Sequence, residues 1–149
     1  MSALENFSLN WKVAIVTGSS GAIGKQIVSG LASAGAIVYG LARRANSSKQ
    51  KHINYIAVDV TNEEQLAKAI SQINLTNGRV DILVNGAGVT MPEGALANWR
   101  EELSQTIGVN LIAAINSCRI VTPIMLKGGY GSIINITSIG GHLGFPDNP

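Results

Sequence analysis

From Trp11 onward, short apolar runs alternate with stretches in which apolar residues recur every three or four positions. Val13-Ala14-Ile15-Val16 is continuously apolar and is closed by Thr17-Gly18, the pattern of a strand buried on both faces of a parallel sheet. From Ile23 through Ile27, Val28 and Leu31 the spacing is helical, and Gly35 sits where a C-terminal glycine would stop the turn. Ile37 to Leu41 predicts a second strand and Tyr55 to Val58 a third. Thr61 is the expected cap of the next helix, in the order Thr61-Asn62-Glu63-Glu64, with Leu66, Ala69, Ile70 and Ile73 as its apolar face. Asp81 to Val84 predicts a fourth strand, a long helix runs from about Trp99 to Leu126, and Ser132 to Ile136 predicts a fifth strand leading into Thr137-Ser138. Strands alternating with helices through right-handed crossovers predict an α/β fold. It is an open, doubly wound parallel sheet in the order 3-2-1-4-5, whose ligand lies beyond the carboxyl ends of the strands.

Composition narrows this further. Only 13% of the 149 residues are charged, about half the globular average of roughly 25%, while Val, Ile, Leu and Ala are ample for a core, so disorder is excluded. Apolar stretches are interrupted short of the roughly 18 residues a membrane span needs, and Met1 to Leu9 carries Glu5 and no apolar run of signal-peptide type. The expectation is a cytoplasmic chain with neither membrane nor nucleic acid as partner, the net charge being +2. A single cysteine, Cys118, with His52 and His142 as the only histidines, supports neither an internal disulfide nor a metal centre. Cys118, His142 and Trp99 read as structural: a small apolar side chain, a loop imidazole and a helix-start anchor.

Chemistry concentrates at strand ends. Thr17-Gly18-Ser19-Ser20-Gly21-Ala22-Ile23-Gly24 closes the first strand and opens a helix. A glycine-rich turn in that setting presents backbone N–H groups and the positive helix end to phosphate, the alternative being a tight turn with no ligand. Asp59, at a strand end, could equally begin the turn into the following helix. Asn110 lies in the apolar stretch Ile107 to Ile115, where a buried amide needs a partner or a role. The basic cluster Arg43, Arg44, Lys49, Lys51 and His52 is either a solvated surface or a phosphate-binding loop.

In register, these motifs resemble the short-chain dehydrogenase/reductase family from Trp11 to Pro149. The family's Thr-Gly-x-x-x-Gly-x-Gly turn is similar to Thr17 to Gly24, which implies cofactor contacts at Gly18, Ser20, Gly21, Ile23 and Gly24. Its adenine-contacting Asp resembles Asp59, followed by Val60. Its Asn-Asn-Ala-Gly resembles Asn85-Gly86-Ala87-Gly88, with Asn85, Ala87 and Gly88 at the cofactor. The catalytic-helix Asn resembles Asn110, implied to relay a proton or hold a water, and the catalytic Ser resembles Ser138. Two positions depart from the pattern: Ala22 replaces a glycine and Gly86 replaces the second Asn. Ala22 would crowd a pyrophosphate only if its φ had to be positive.

The resemblance implies an oxidoreductase moving a hydride between a nicotinamide dinucleotide and a carbonyl or alcohol, homo-oligomeric in its full-length form. Where the family would place an acid after the second strand stands Ala42, followed by Arg43 and Arg44. This favours NADP over NAD, Ser47, Ser48 and Lys49 completing a phosphate loop. The family's Tyr-x-x-x-Lys pair is missing, since Tyr39, Tyr55 and Tyr130 are followed four positions on by Arg43, Asp59 and Ile134. Family spacing would place the Tyr about thirteen residues after Ser138, about two beyond Pro149. The expectation is therefore a dinucleotide-binding Rossmann-type domain over residues 1–149, C-terminally incomplete, truncated after the fifth strand and inactive alone. The alternatives are a nucleotide-binding module without catalysis and an interaction protein that has lost its cofactor.

Overall fold

The computed structural model describes residues 7–44, 50–90 and 99–141. Five strands, β1 (Val13–Thr17), β2 (Ile37–Ala42), β3 (Ile53–Ala57), β4 (Ile82–Asn85) and β5 (Ser132–Asn135), form one sheet in the order β3-β2-β1-β4-β5. Every pairing is parallel, as the expected doubly wound, Rossmann-like topology requires. β1 is central and wholly buried, which is why it reads as an unbroken apolar run.

Helix α1 (Ala22–Ser33) covers one face, where Val28 meets Ala14, Val16, Val38, Ile82 and Val84. On the other face, α2 (Glu63–Asn77) and α4 (Ala113–Gly128) pack Leu66, Ile70, Ile73, Val121 and Met125 over Ile15, Leu41 and Leu83. Gly35 has φ +102 just after α1, the left-handed stop the spacing predicts.

Several expected boundaries move. β3 starts at Ile53 and ends at Ala57, because Val38 and Ala42 of β2 pair with Ile53 and Ala57. β4 begins after Asp81, whose carboxylate instead accepts the Val13 N–H at 2.9 Å and both arms of Arg79. The cap of α2 is Asn62 rather than Thr61. The Asn62 side chain accepts from Gln65 N at 3.0 Å, because the Thr61 N–H and hydroxyl are both donated to Asp59 Oδ1, at 3.0 and 2.7 Å.

The long helix is continuous over 30 residues, Trp99–Gly128, but contains a π-helical turn, Gly108–Ile112, between α3 (Trp99–Ile107) and α4. Among the described residues it is the one helix long and apolar enough, by length and composition, to cross a membrane. It lies along the sheet through Ala113, Ser117, Val121 and Met125, while Ile107, Leu111, Ile112 and Ile115 are 42–52% exposed. The apolar stretch expected to bury Asn110 is thus an open face, and Asn110 itself is exposed. β5, at the sheet edge, also exposes Ile133 and Ile134.

Candidate functional site at the carboxyl edge

Because all strands run parallel, Thr17, Asn85, Asp59 and Ser138 all end or follow a strand at the same edge. A cleft of about 270 Å³ opens there. Its floor is Gly18, Ser20 and Gly21, one wall is Ala42, Arg43, Val58 and Asp59 to Thr61, and the other is the loop Gly86 to Val89. Gln105 and Val109 of the long helix close it.

The glycine-rich turn is shaped by close backbone contact. Gly18 has φ +71, and a Cβ there would lie 2.4 Å from Gly86 O. A Cβ on Gly24 would lie 2.2 Å from Gly18 O, so α1 can approach the turn only with glycine at this position. Ala22 is the first helical residue and is not among the positive-φ residues, so its methyl strains nothing. Gly86 has a steric reason of its own, since a Cβ there would meet Thr17 O at 3.0 Å. The first turn of α1 carries no side-chain cap and no acidic residue. Its free N–H groups and positive dipole end are therefore available to phosphate, and the turn fits a dinucleotide.

Thr17 joins turn to loop. Its buried Oγ1 accepts the Gly86 and Ala87 N–H groups at 3.1 and 3.2 Å. From the helix side, Asn110 in the π-helical turn holds the loop's far end, Oδ1 accepting from Val89 N and Nδ2 donating to Val89 O, both at 2.8 Å. The loop is pinned at both ends.

Asp59 lies in the cleft with its carboxyl held below the ordinary carboxylate range. The Thr61 hydroxyl and N–H contribute most, partial burial opposes them, and the Arg43 charge adds to the lowering. Arg43 also lines a second, adjoining depression with Ser20 and Arg44, so a cationic recess sits beside the cleft at the end of β2. Ser47, Ser48 and Lys49, the rest of the expected phosphate loop, lie outside the described residues, as does His142.

Of the expected cofactor residues, Gly18, Ser20, Gly21, Arg43, Asp59, Val60, Ala87 and Gly88 line the cleft, and Arg44 lines the adjoining recess. Gly24 and Ile23 do not line it. Gly24 is packed beneath the turn and Ile23 is 64% exposed on α1. Asn85 is also outside it. Its side chain is buried towards α4, Nδ2 donating to Asn135 Oδ1 at 2.9 Å and to Cys118 Sγ at 3.4 Å, so it ties β4 to β5. Ser138 is exposed beyond β5, Oγ accepting from Gly140 N at 3.1 Å, and is not a lining residue. The sequence reading missed Thr17 as the loop anchor, and Gln105 and Val109 as wall residues. A threonine closing an apolar strand is a readable signal for the first; the helix residues have none.

The sequence model of short chain dehydrogenases matches residues 12–149. The chain belongs to the short-chain dehydrogenase family. It is 36% identical over 135 residues to a 3-ketodihydrosphingosine reductase of Bacteroides thetaiotaomicron, covering 91% of this chain and 50% of that one. It is 37% identical over 144 residues to a 3-oxoacyl-(acyl-carrier-protein) reductase of Vibrio cholerae, covering 92% and 59%. Among solved structures, ElxO with NADP bound superposes with a TM-score of 0.83 at 30% identity, covering 92% of this chain and 59% of that one. This short-chain dehydrogenase chain spans about half the length of the curated relatives it matches.

Proposed function

We propose that this chain is the NADP(H)-binding portion of a reductase that moves a hydride between NADP(H) and a carbonyl or alcohol. The reading rests on one observation. Arg43, at the end of β2 where Ala42 leaves no carboxylate, lines both the cleft and the recess it shares with Ser20 and Arg44. A planar guanidinium there suits a ribose 2′-phosphate bidentately, whereas a carboxylate would repel it. In this account the uncapped start of α1 takes the pyrophosphate, Asp59 accepts from the adenine amino group, and Ala87 and Gly88 border the ribose. NADP, when bound, supplies the hydride chemistry.

Ser138 Oγ, already accepting from Gly140 N, keeps its proton to donate to a substrate oxygen. Asn110 sets the height of the loop, and its second amide proton and second lone pair remain for a water on a proton path. Gly24 and Asn85 then act on the cofactor through the turn and the sheet, and Ile23 through the exposed side of α1. Residues 1–149 alone turn over no substrate, because no tyrosine in them has a lysine four positions on. A cytoplasmic setting, where a free thiol such as Cys118 stays reduced, and homo-oligomers of the full-length protein belong to the same proposal. The test is a calorimetric titration of both dinucleotides into the wild type and Arg43→Ala. Preference for NADP, reduced far more for NADP than for NAD by the substitution, is expected. Equal loss for both, or a wild-type preference for NAD, refutes the assignment.

A further inference from the structure

The edge of the sheet opposite the cleft has a different chemistry. Helices return antiparallel to the strands, so the starts of β1, β3, β4 and β5 and the ends of α2 and α4 share that edge. Phe7, Trp11, Leu75 and Leu126 lie there at 75–83% exposure, and no other large apolar side chain among the described residues exceeds 64%. Parts of this surface are linked by contacts. Asn74, Gly78, Pro123 and Lys127 line one depression between the ends of α2 and α4, and Tyr130 N donates to Met125 O. The Tyr130 ring in turn lies 4.1 Å beneath Lys12 Nζ, next to Trp11.

Trp11 is the decisive residue. It occupies a turn closed by Lys12 N to Leu9 O and has φ 67, a region that costs a bulky L-residue conformational energy. At 83% exposure the indole recovers none of this by burial within the chain. His52, the other non-glycine residue with positive φ among those described, lies at the same edge, immediately before β3.

The acids are sorted in the same way, whereas cations lie at both edges, Arg43 and Arg44 at the cleft. Lys12, Lys51, Arg79 and Lys127 are at this edge, where Asp81 is the sole acid among the described residues, 2% exposed and paired with Arg79 and Lys12. Glu63, Glu64, Glu101 and Glu102 are in the first turns of α2 and α3, at the cleft edge. Protruding Trp, Phe and Leu side chains on the same edge as Lys51 and Lys127, which pair with no acid among the described residues, match the interface of an anionic bilayer, where aromatic rings sit at headgroup depth and cations meet lipid phosphate. We infer that this amino-terminal edge docks the protein on an anionic membrane surface, with the nucleotide cleft facing away into solvent. It departs from the expectation of a chain without a membrane partner, and it stands independently of the proposed function.

The test is flotation of the intact chain with phosphatidylcholine vesicles, with and without phosphatidylserine. Trp11→Gly is the informative variant, since glycine adopts positive φ freely and the fold keeps or gains stability. The expected result is binding to the serine-containing vesicles alone, weakened by 0.5 M salt and at least tenfold by Trp11→Gly. Lys127→Ala should weaken it about fivefold. In a Trp99→Phe background, Trp11 emission should shift to the blue on binding. Three results overturn the inference: no flotation, flotation that ignores salt and survives Trp11→Gly, which points to the open face of the long helix, or a concentration-dependent dimer abolished by Trp11→Gly without vesicle binding.

Discussion

Replacing Thr17 by valine removes one oxygen and leaves the side-chain shape. Thr17 is 2% exposed, and its Oγ1 is the acceptor for two backbone N–H groups, of Gly86 and Ala87, in a half-buried loop. An unsatisfied buried donor costs about 1–3 kcal/mol. Partial solvent access lets water reach one of the two, so the expected loss is about 2 kcal/mol. Thr17→Ser keeps the acceptor and loses only a buried methyl, about 1 kcal/mol. Urea unfolding should show a lower midpoint for the valine variant with an unchanged slope, which locates the effect in the folded state. Amide exchange at Gly86 and Ala87 should accelerate selectively. A destabilisation below about 0.5 kcal/mol, or unchanged exchange at both amides, would refute the claim that Thr17 anchors the loop.

Other consequences follow from particular contacts. Burial pushes the Asp81 carboxyl up, but the Arg79 hydrogen bonds, the Val13 N–H and the charges of Arg79 and Lys12 outweigh it, and the carboxyl sits below its ordinary value. Its contribution is complete above the unfolded value of about 3.9 and is lost as pH falls through the lower folded value. Thermal melts from pH 6 to pH 2 should show that acid loss in the wild type and a flatter profile in Asp81→Asn. Gly24→Ala should cost about 1–3 kcal/mol from overpacking against Gly18 O, whereas Gly30→Ala, facing open space in the same helix, should add about 0.5–1 kcal/mol. The two midpoints in urea should therefore move in opposite directions. With Ile133 and Ile134 exposed on an edge strand beside an open apolar helix face, the isolated chain should self-associate. Light scattering of a monodisperse monomer across a wide concentration range would contradict this.

The sheet order was legible because buried parallel strands are unbroken apolar runs and β1, β2 and β4 are buried on both faces. What the pattern could not decide were choices between neighbours. Thr61 and Asn62 can both cap a helix, and the decision lies with Asp59, whose carboxylate takes both Thr61 donors. Asn85 ends a strand, and motif register alone suggested the cleft, but its side chain points towards Cys118 of α4. Asn110 was expected in a buried stretch because helical periodicity marks an apolar face without saying what covers it. Gln105 and Val109 reach the cleft through a crossing of the long helix over the sheet edge, a non-local relation that spacing does not encode.

The claim that this edge binds a dinucleotide through its backbone turn and Arg43 is tested most directly by amide chemical shifts of the labelled chain during addition of NADPH. The account predicts saturable shifts concentrated at Gly18 to Ile23, Arg43, Asp59 to Thr61 and Gly86 to Val89, with those at Arg43 much smaller for NADH. An unchanged spectrum, or shifts gathered at the opposite edge around Lys12 and Lys127, would contradict it.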